Sequence, residues 1–438
     1  MSRTVATERL FAMQRFGVVP GLERTRALLA RLGDPQGAFE AVLVAGTNGK
    51  GATVAHLSAM LRAEGRSVGR FVSPHLASPG ERVAVDGRAM SDGAFEDAVA
   101  ELLPHVEAVG ATFFEALTAL ACVRFARAGV DVAVMEVGLG GRLDATNALD
   151  PVASAIASIA LDHQAVLGTT LTAIAREKAG ILRRSVPAWS TARGEAAEAL
   201  RAAARELGAP LRFVGSDVRT RVRSHGWSGS TVRLGREGRT ELVFATPLVG
   251  RHQAENAALA ACVAGELGVS DRSVAAGAAA TRWPGRLEVV APRGAAAEDG
   301  SLPDDVRVVL DGAHNPAAAT ALAETLRDLG ERPALVFGAS RDKDVAGVLR
   351  ALAPATSSLV LTRATLSPRA LPPVEAAALA TALGLDVAAV HADPRHAVRA
   401  AAHGVGSGPV LVAGSLYLIG EVRPWLMGEP LPGWERWQ

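Results

Sequence analysis

The segment Gly46-Thr47-Asn48-Gly49-Lys50-Gly51 constrains this chain more than any other. It follows the apolar run Ala41 to Ala45 and precedes a helix-periodic stretch from about Thr53 to Ala63. A strand, a glycine-rich turn and a helix in that order offer backbone N–H groups and a helix N-terminus to an anion, and the lysine can reach the outer phosphates of a nucleotide. The spacing departs from the general phosphate loop, since Val44 stands where its first glycine would be. Turn geometry would explain the glycines but not a lysine at the mouth of the helix.

Such a loop belongs to a βαβ unit, and the rest of the first half keeps that alternation. Val132 to Glu136 reads as a buried strand ending on a carboxylate, and Ala155 to Leu161 as another, ending at Asp162-His163. Residues 210–247 differ: Leu211 to Val214 and Thr231 to Leu234 suggest a small antiparallel insert. The stretch 252–280 is alanine-rich and helical, and 291–305 reads as an exposed loop near a domain junction. Alternation then restarts with Val306 to Leu310, Ala334 to Phe337, Ser358 to Thr362, Val387 to Val390 and Val410 to Ala413. With 438 residues, more than one core usually organises, the expected fold is α/β with two domains. Residues 1–285 would form a phosphate-loop parallel sheet flanked by helices with the antiparallel insert, and 286–438 a Rossmann-like α/β domain.

Chemistry-bearing residues collect around this frame. Glu136 sits at the carboxyl edge of its strand, where ligands of open parallel sheets gather. His163 ends the next strand and Lys178 lies on the following helix. Singly each is as readily structural; together at one sheet edge they suit Mg²⁺ held with substrate phosphates. Among 46 basic residues, lysine occurs only at 50, 178 and 343. Where arginine serves every surface, a remaining lysine asks for a chemical reason. Trp283-Pro284-Gly285-Arg286 could be a hinge, but a hinge does not need a guanidinium, whereas a phosphate contact does. A net charge of +1 argues against nucleic acid or anionic membrane as partner. The N-terminus lacks a signal-peptide pattern, and Cys122 and Cys262 read as buried thiols, so a cytoplasmic protein is expected.

These residues resemble the folylpolyglutamate synthase/dihydrofolate synthase family of the Mur ligase superfamily. The match runs in order over nearly the whole chain. It includes Ser73-Pro74-His75, Glu81-Arg82, Phe114-Glu115, EVGLGGRLDATN (Glu136 to Asn147), Leu161-Asp162-His163, Glu177 to Ile181, Asp311 to Pro316, Asp342-Lys343-Asp344 and Gly414 to Leu418. The resemblance implies that Thr47, Asn48, Gly49, Lys50 and Gly51 hold ATP phosphates, with Asn256 at adenine, Arg286 at the phosphates and Asp311 at ribose. It implies two Mg²⁺ sites, one on Ser73 and Glu136 and one on His163, with Lys178 as a carbamate near the metal; a monovalent cation is a further expectation. Folate would rest against Val19-Pro20, Thr112, Phe113, Phe114, Glu115, Leu143, Asp144 and Ala145, and L-glutamate against Arg82, His314 and Ser415. Lys50, Lys178, His163, Arg286 and His314 would carry the chemistry: a carboxylate is phosphorylated by ATP, and the glutamate amine displaces phosphate. Ala52 and Leu43 depart from the family pattern, and Thr53 is left to cap the helix.

Three other readings compete. A peptidoglycan Mur ligase would need a further N-terminal domain, for which a loop at Gly46 leaves little chain. A phosphate-loop ATPase would turn over ATP without glutamate and leave the second-half motifs idle. A non-catalytic remnant would not keep competent residues at each expected metal and phosphate position. The partners are then small molecules (dihydropteroate or tetrahydrofolate, L-glutamate and ATP) bound by a monomer. The choice of acceptor stays open.

Overall fold

The structure, a computed structural model, describes residues 3–13, 20–236, 238, 240–293, 302–303, 306–404 and 408–429. Its first sheet has eight strands: β1 (Glu40–Ala45), β2 (Val68–Phe71), β3 (Val83–Val85), β4 (Arg88–Ala89), β5 (Val132–Glu136), β6 (Pro151–Ile156), β7 (Ala188–Ser190) and β8 (Leu211–Phe213). They run in the order β4-β3-β2-β5-β1-β6-β7-β8. All pairs are parallel except those made by the short strands β3 and β4. Parallel strands are covered by helices on both faces and so read as unbroken apolar runs; β5 is buried along its whole length. One face packs on the helix Phe113–Ala128, the other on the helices Lys50–Ala63 and Arg251–Glu266. From β1 the chain crosses towards β5 and β2 on one side, while β6 lies on the other. The carboxyl ends of β5, β1 and β6 thus flank a topological switch point, where an open sheet leaves a crevice.

β8 corrects the sequence reading. Leu211-Arg212-Phe213 extends the parallel sheet beside β7 and does not join the insert. The insert is β9 (Arg219–Ser224), β10 (Ser230–Gly235) and β11 (Leu242–Thr246), antiparallel in the order β11-β10-β9. It buries Val232, Leu234, Leu242 and Phe244 in the core layer shared with the phosphate-loop helix. His56 on that helix joins the two elements. Its Nδ1 donates to the Ala52 carbonyl at 2.8 Å, so its Nε2 accepts from the Thr246 hydroxyl at 2.9 Å. Complete burial brings its pKa down to about 4, against the Ala52 bond, which favours the protonated ring. The unfolded chain therefore binds more protons between pH 6.5 and 4, and stability falls as pH falls through that window, by about 3 kcal/mol from this residue. Urea midpoints at pH 7 and 4.5 should differ less for His56→Gln than for the parent.

The second sheet is β12 (Glu288–Val290), β13 (Val308–Leu310), β14 (Ala334–Phe337), β15 (Ser358–Leu361), β16 (Ala389–Val390) and β17 (Val410–Ala413), ordered β12-β13-β17-β14-β15-β16. Only β12 is antiparallel. Core clusters lie on both of its faces.

Candidate active site at the seam between the two sheets

At the end of β1 the turn closes on Gly49, whose φ of +89° is left-handed. A Cβ here would stand 2.3 Å from Asn256 Oδ1, and one on Gly51 2.6 Å from the Trp283 ring. The glycines therefore let Asn256 and the Trp283-Pro284-Gly285-Arg286 segment approach the loop. No side chain caps the helix that starts at Lys50. The Thr53 hydroxyl, the expected cap, instead donates to the Gly49 carbonyl at 2.9 Å. The first-turn N–H groups stay available to an anion.

Two of the three lysines meet on one carbonyl. Lys50 Nζ donates to Gly46 O at 3.2 Å and to Thr47 O at 3.3 Å, and Lys178 Nζ donates to Gly46 O at 2.9 Å. Lys178 is 3% exposed. Burial, reinforced by the Lys50 charge, brings its pKa down to about 7, so a sizeable fraction is a neutral amine near neutrality.

Glu136 ends β5 with its Oε2 accepting the Ser73 backbone N–H at 3.1 Å. Burial pushes its pKa up, opposed by Lys50, the Ser73 N–H, Arg286 and Arg82. Arg286 is half-buried, feels both Asp311 and Glu136, and donates to Gly285 O at 2.9 Å. Lys50, Glu136, Arg286 and Asp311 thus share one electrostatic neighbourhood, drawn from both sheets. Asp311 is less free than expected, since its oxygens accept Ala313 N–H and Leu287 N–H, each at 2.9 Å.

β6 ends earlier than the sequence suggested. The chain leaves the sheet after Ile156 because Ser158 bridges to Asn48 and the Thr47 hydroxyl donates to Ala160 O at 3.1 Å. That detour delivers Asp162 and His163 to the seam. Lys343 Nζ donates to Asp162 Oδ1 at 2.7 Å and approaches His163 Nε2 at 3.4 Å. Asn315 Nδ2 donates to Asp162 Oδ2 at 3.0 Å and to Asn48 Oδ1 at 2.9 Å, while Asn48 Nδ2 donates back to Asn315 Oδ1 at 3.2 Å. Burial alone would raise the Asp162 pKa, but Lys343 above all holds it well below the usual carboxylate range. Burial, then Lys343, lowers that of His163 to about 4, leaving its imidazole neutral and able to act as a ligand. His314 stands beside this network, with Nδ1 against Gly312 O at 2.8 Å and Nε2 3.8 Å from Asp162 Oδ2. Asp162, Asn315 and Lys343 were not expected site residues; the signals that pointed to them were the family motifs Leu161-Asp162-His163, Asp311 to Pro316 and Asp342-Lys343-Asp344 and, for Lys343, the rarity of lysine. Asn315 also caps the helix Pro316–Asp328 through Ala318 N–H at 2.9 Å. Asn315→Ala should lower stability by about 2 kcal/mol, one part from the cap and one from the seam, read as a shift of the urea midpoint.

The residues expected at the folate fall into two groups. Glu115 is engaged internally, pairing with Arg24 at 2.9 and 3.1 Å and accepting Thr112 N–H at 2.6 Å in a capping box. Asp144 accepts from Leu139 N–H, Thr146 N–H and the Thr146 hydroxyl. Phe113 and Ala145 are buried, while Phe114 and Leu143 are half-buried and Pro20 is exposed. Val19 lies outside the described residues. Arg82 is 1% exposed, donates to His75 Nδ1 at 2.9 Å and covers the Phe113 ring. Ser415 caps the helix Leu416–Met427 by accepting Tyr417 N–H at 3.2 Å, and the preceding Gly414 N–H donates to Ala313 O at 3.0 Å. Among the described residues no group of three or more His, Cys, Asp and Glu side chains gathers as a metal cage. The donor set of Ser73, Glu136 and His163 instead fits a hard cation that takes most of its ligands from phosphates and water.

Comparison with known proteins places the chain among relatives of known kind. Residues 44–264 match the Mur ligase middle domain and residues 285–416 the glutamate ligase domain of Mur ligases. The dihydrofolate synthase/folylpolyglutamate synthase of Bacillus subtilis is 34% identical, over 93% of this chain and 95% of that protein. A probable bifunctional folylpolyglutamate synthase/dihydropteroate synthase of Haloferax volcanii is 39% identical over 95% of this chain, which spans only 50% of that longer protein. The solved structure of E. coli FolC in complex with DHPP and ADP superposes with a TM-score of 0.84 at 32% identity, covering 97% of this chain and 98% of that one.

Proposed function

The chain belongs to the folylpolyglutamate synthase/dihydrofolate synthase family of Mur ligases, and we propose that it uses ATP to join the amino group of L-glutamate to a folate-type carboxylate. The observation that carries this reading is the meeting of Lys50, Lys178 and Glu136 from one sheet edge with Arg286 and Asp311 from the other. We draw the domain boundary at 285/286, just before β12.

A carboxylate does not acylate an amine at neutral pH, because oxide is a very poor leaving group. Transfer of the γ-phosphoryl group turns it into an acyl phosphate. The phosphate-loop N–H groups, Lys50 and Arg286 would hold the triphosphate and oppose charge on the phosphoryl oxygens during transfer. Asn256 would meet adenine and Asp311 ribose, using lone pairs that its two backbone bonds leave free. Mg²⁺, held by Ser73 and Glu136 with a second ion at His163, supplies further positive charge to those oxygens when bound. The neutral amine of Lys178 can add carbon dioxide, forming an N–C bond and releasing one proton; the resulting carbamate is an oxygen donor that arginine could not provide. Phe114 and Leu143 would offer apolar surface to the pterin and benzoate, and Arg82, His314 and Ser415 would receive glutamate. The glutamate amine, uncharged, attacks the acyl carbon and phosphate departs. Closure of the seam would keep water from the acyl phosphate.

The test is ATP-dependent incorporation of labelled glutamate, with dihydropteroate and tetrahydrofolate compared as acceptors. Labelling of either supports the reading and names the acceptor. ATP turnover with neither labelled would leave only a phosphate-loop ATPase. Among the described residues no helix is long and apolar enough to cross a membrane; a cytoplasmic monomer is part of the proposal.

A further inference from the structure

A cavity lies away from the seam network, and none of the residues assigned above lines it. It encloses about 840 Å³, within the range of sites that take a small organic ligand. The carboxyl ends of β7 and β8 form its floor and β9 with the start of β10 one wall, while Thr325, Asp328 and Leu329 of the second domain form a rim.

Three independent features make this an anion-selective space. First, two helices begin in it, Gly194–Leu207 and Arg251–Glu266, and neither has a side-chain cap. Their first-turn N–H groups and dipoles favour negative charge. Second, Ser230 lines the cavity at 1% exposure, and among the described residues its hydroxyl finds no hydrogen-bond partner. A buried hydroxyl left unmatched costs stability unless something supplies the bond. Third, the lining carries Arg193, Arg201, Arg221 and Arg251 against Glu255 and Asp328, and with Glu198, which pairs with Arg201 at 2.7 Å, the surplus is one positive charge. Glu255 is already shared by Arg193 at 2.7 Å and Arg251 at 3.5 Å. Arg221 lies directly opposite Arg233 in the β9–β10 ladder, and Arg233 pairs with Glu241 at 2.9 Å.

We propose that this cavity is a second anion site, separate from the phosphate loop, for a small ligand carrying a phosphate or oligophosphate group. Helix N-termini and arginine forks match phosphate oxygens in geometry as well as in charge. Because both domains line the space, the ligand would also tie them together at the end of the seam remote from Lys343. The proposal stands on the cavity alone and does not depend on the ligase reading.

Calorimetric titration with inorganic tripolyphosphate tests it, using the full chain already saturated with AMPPCP and Mg²⁺ so that the phosphate loop is occupied. One additional binding event is expected. Arg221→Gln, at an exposed position, should weaken it about tenfold, the worth of one charge-assisted hydrogen bond. Ser230→Ala should weaken it without lowering the melting midpoint, because the hydroxyl bonds to nothing in the free protein. Asp328→Asn should tighten it. AMPPCP affinity should hold in all three variants. The absence of a second event in the saturated protein would overturn the proposal. So would an event that none of the three variants changes, since tripolyphosphate would then be bound elsewhere.

Discussion

Lys178→Arg is expected to fold and to lose about three orders of magnitude in ligase turnover. The folding half follows from magnitudes. Fitting a guanidinium into a site that is 3% exposed costs about 1–3 kcal/mol of overpacking, less than the 5–15 kcal/mol that holds a domain together. The new side chain can still donate to Gly46 O. The catalytic half follows from chemistry: guanidine stays protonated and cannot add carbon dioxide, so the oxygen donor beside the phosphoryl group is lost and a cation takes its place. Loss of one well-placed electrostatic group in a closed site is worth about 10²–10³ in rate, and a reversal of sign should reach the upper end. Steady-state kcat, with a circular-dichroism melt as control, decides the matter. Near-normal turnover would remove the carbamate from the mechanism.

Arg286→Ala should be the most damaging single change to fold and function together. Its guanidinium is the one cation shared by two buried carboxylates, Asp311 and Glu136. Removing it leaves both short of their partner, which costs about 3–5 kcal/mol when a buried charge is uncovered. Turnover should fall by about 10³ or more, because an arginine on the transferred phosphoryl group is worth about that much. Arg286→Lys keeps the charge but not the planar fork, and should recover most of the stability and little of the rate. Urea unfolding and single-turnover phosphoryl transfer separate the two effects. A variant of normal stability and unchanged transfer rate would place the triphosphate elsewhere.

What could be seen in the sequence was whatever the backbone alone defines. The strand ends at Ala45 and Glu136, the open helix N-terminus at Lys50 and the strands Ala334–Phe337 and Val410–Ala413 all follow from short apolar runs and glycine turns. Two strand assignments went astray for a tertiary reason. Ala155 to Leu161 is apolar but for Ser158, yet it leaves the sheet after Ile156, drawn off by Thr47 and Asn48, more than a hundred residues earlier. Leu211 to Phe213 borders the insert in sequence, yet pairs with β7 in space. Glu115 and Asp144, expected at the folate, also carry a local pattern that foretells the internal bonds they make. Thr112-Phe113-Phe114-Glu115 is a capping box, and Asp144 caps the turn Ala145–Ala148. The meeting of the seam residues could not be read for the opposite reason. Asp162 finds Asn315 and Lys343 at separations of 153 and 181 residues, and no local spacing encodes such a meeting.

The latch of Asn48, Asp162, Asn315 and Lys343 is built from groups that water solvates well. Prising it open exposes two amides, one carboxylate and one ammonium, each of which regains hydration, so separation carries little of the penalty that an oily interface would impose. In the proposed ligase cycle the halves would part to shed ADP and product. Dissolved salt, which weakens the ammonium–carboxylate attraction, should hasten that departure where product release limits the cycle.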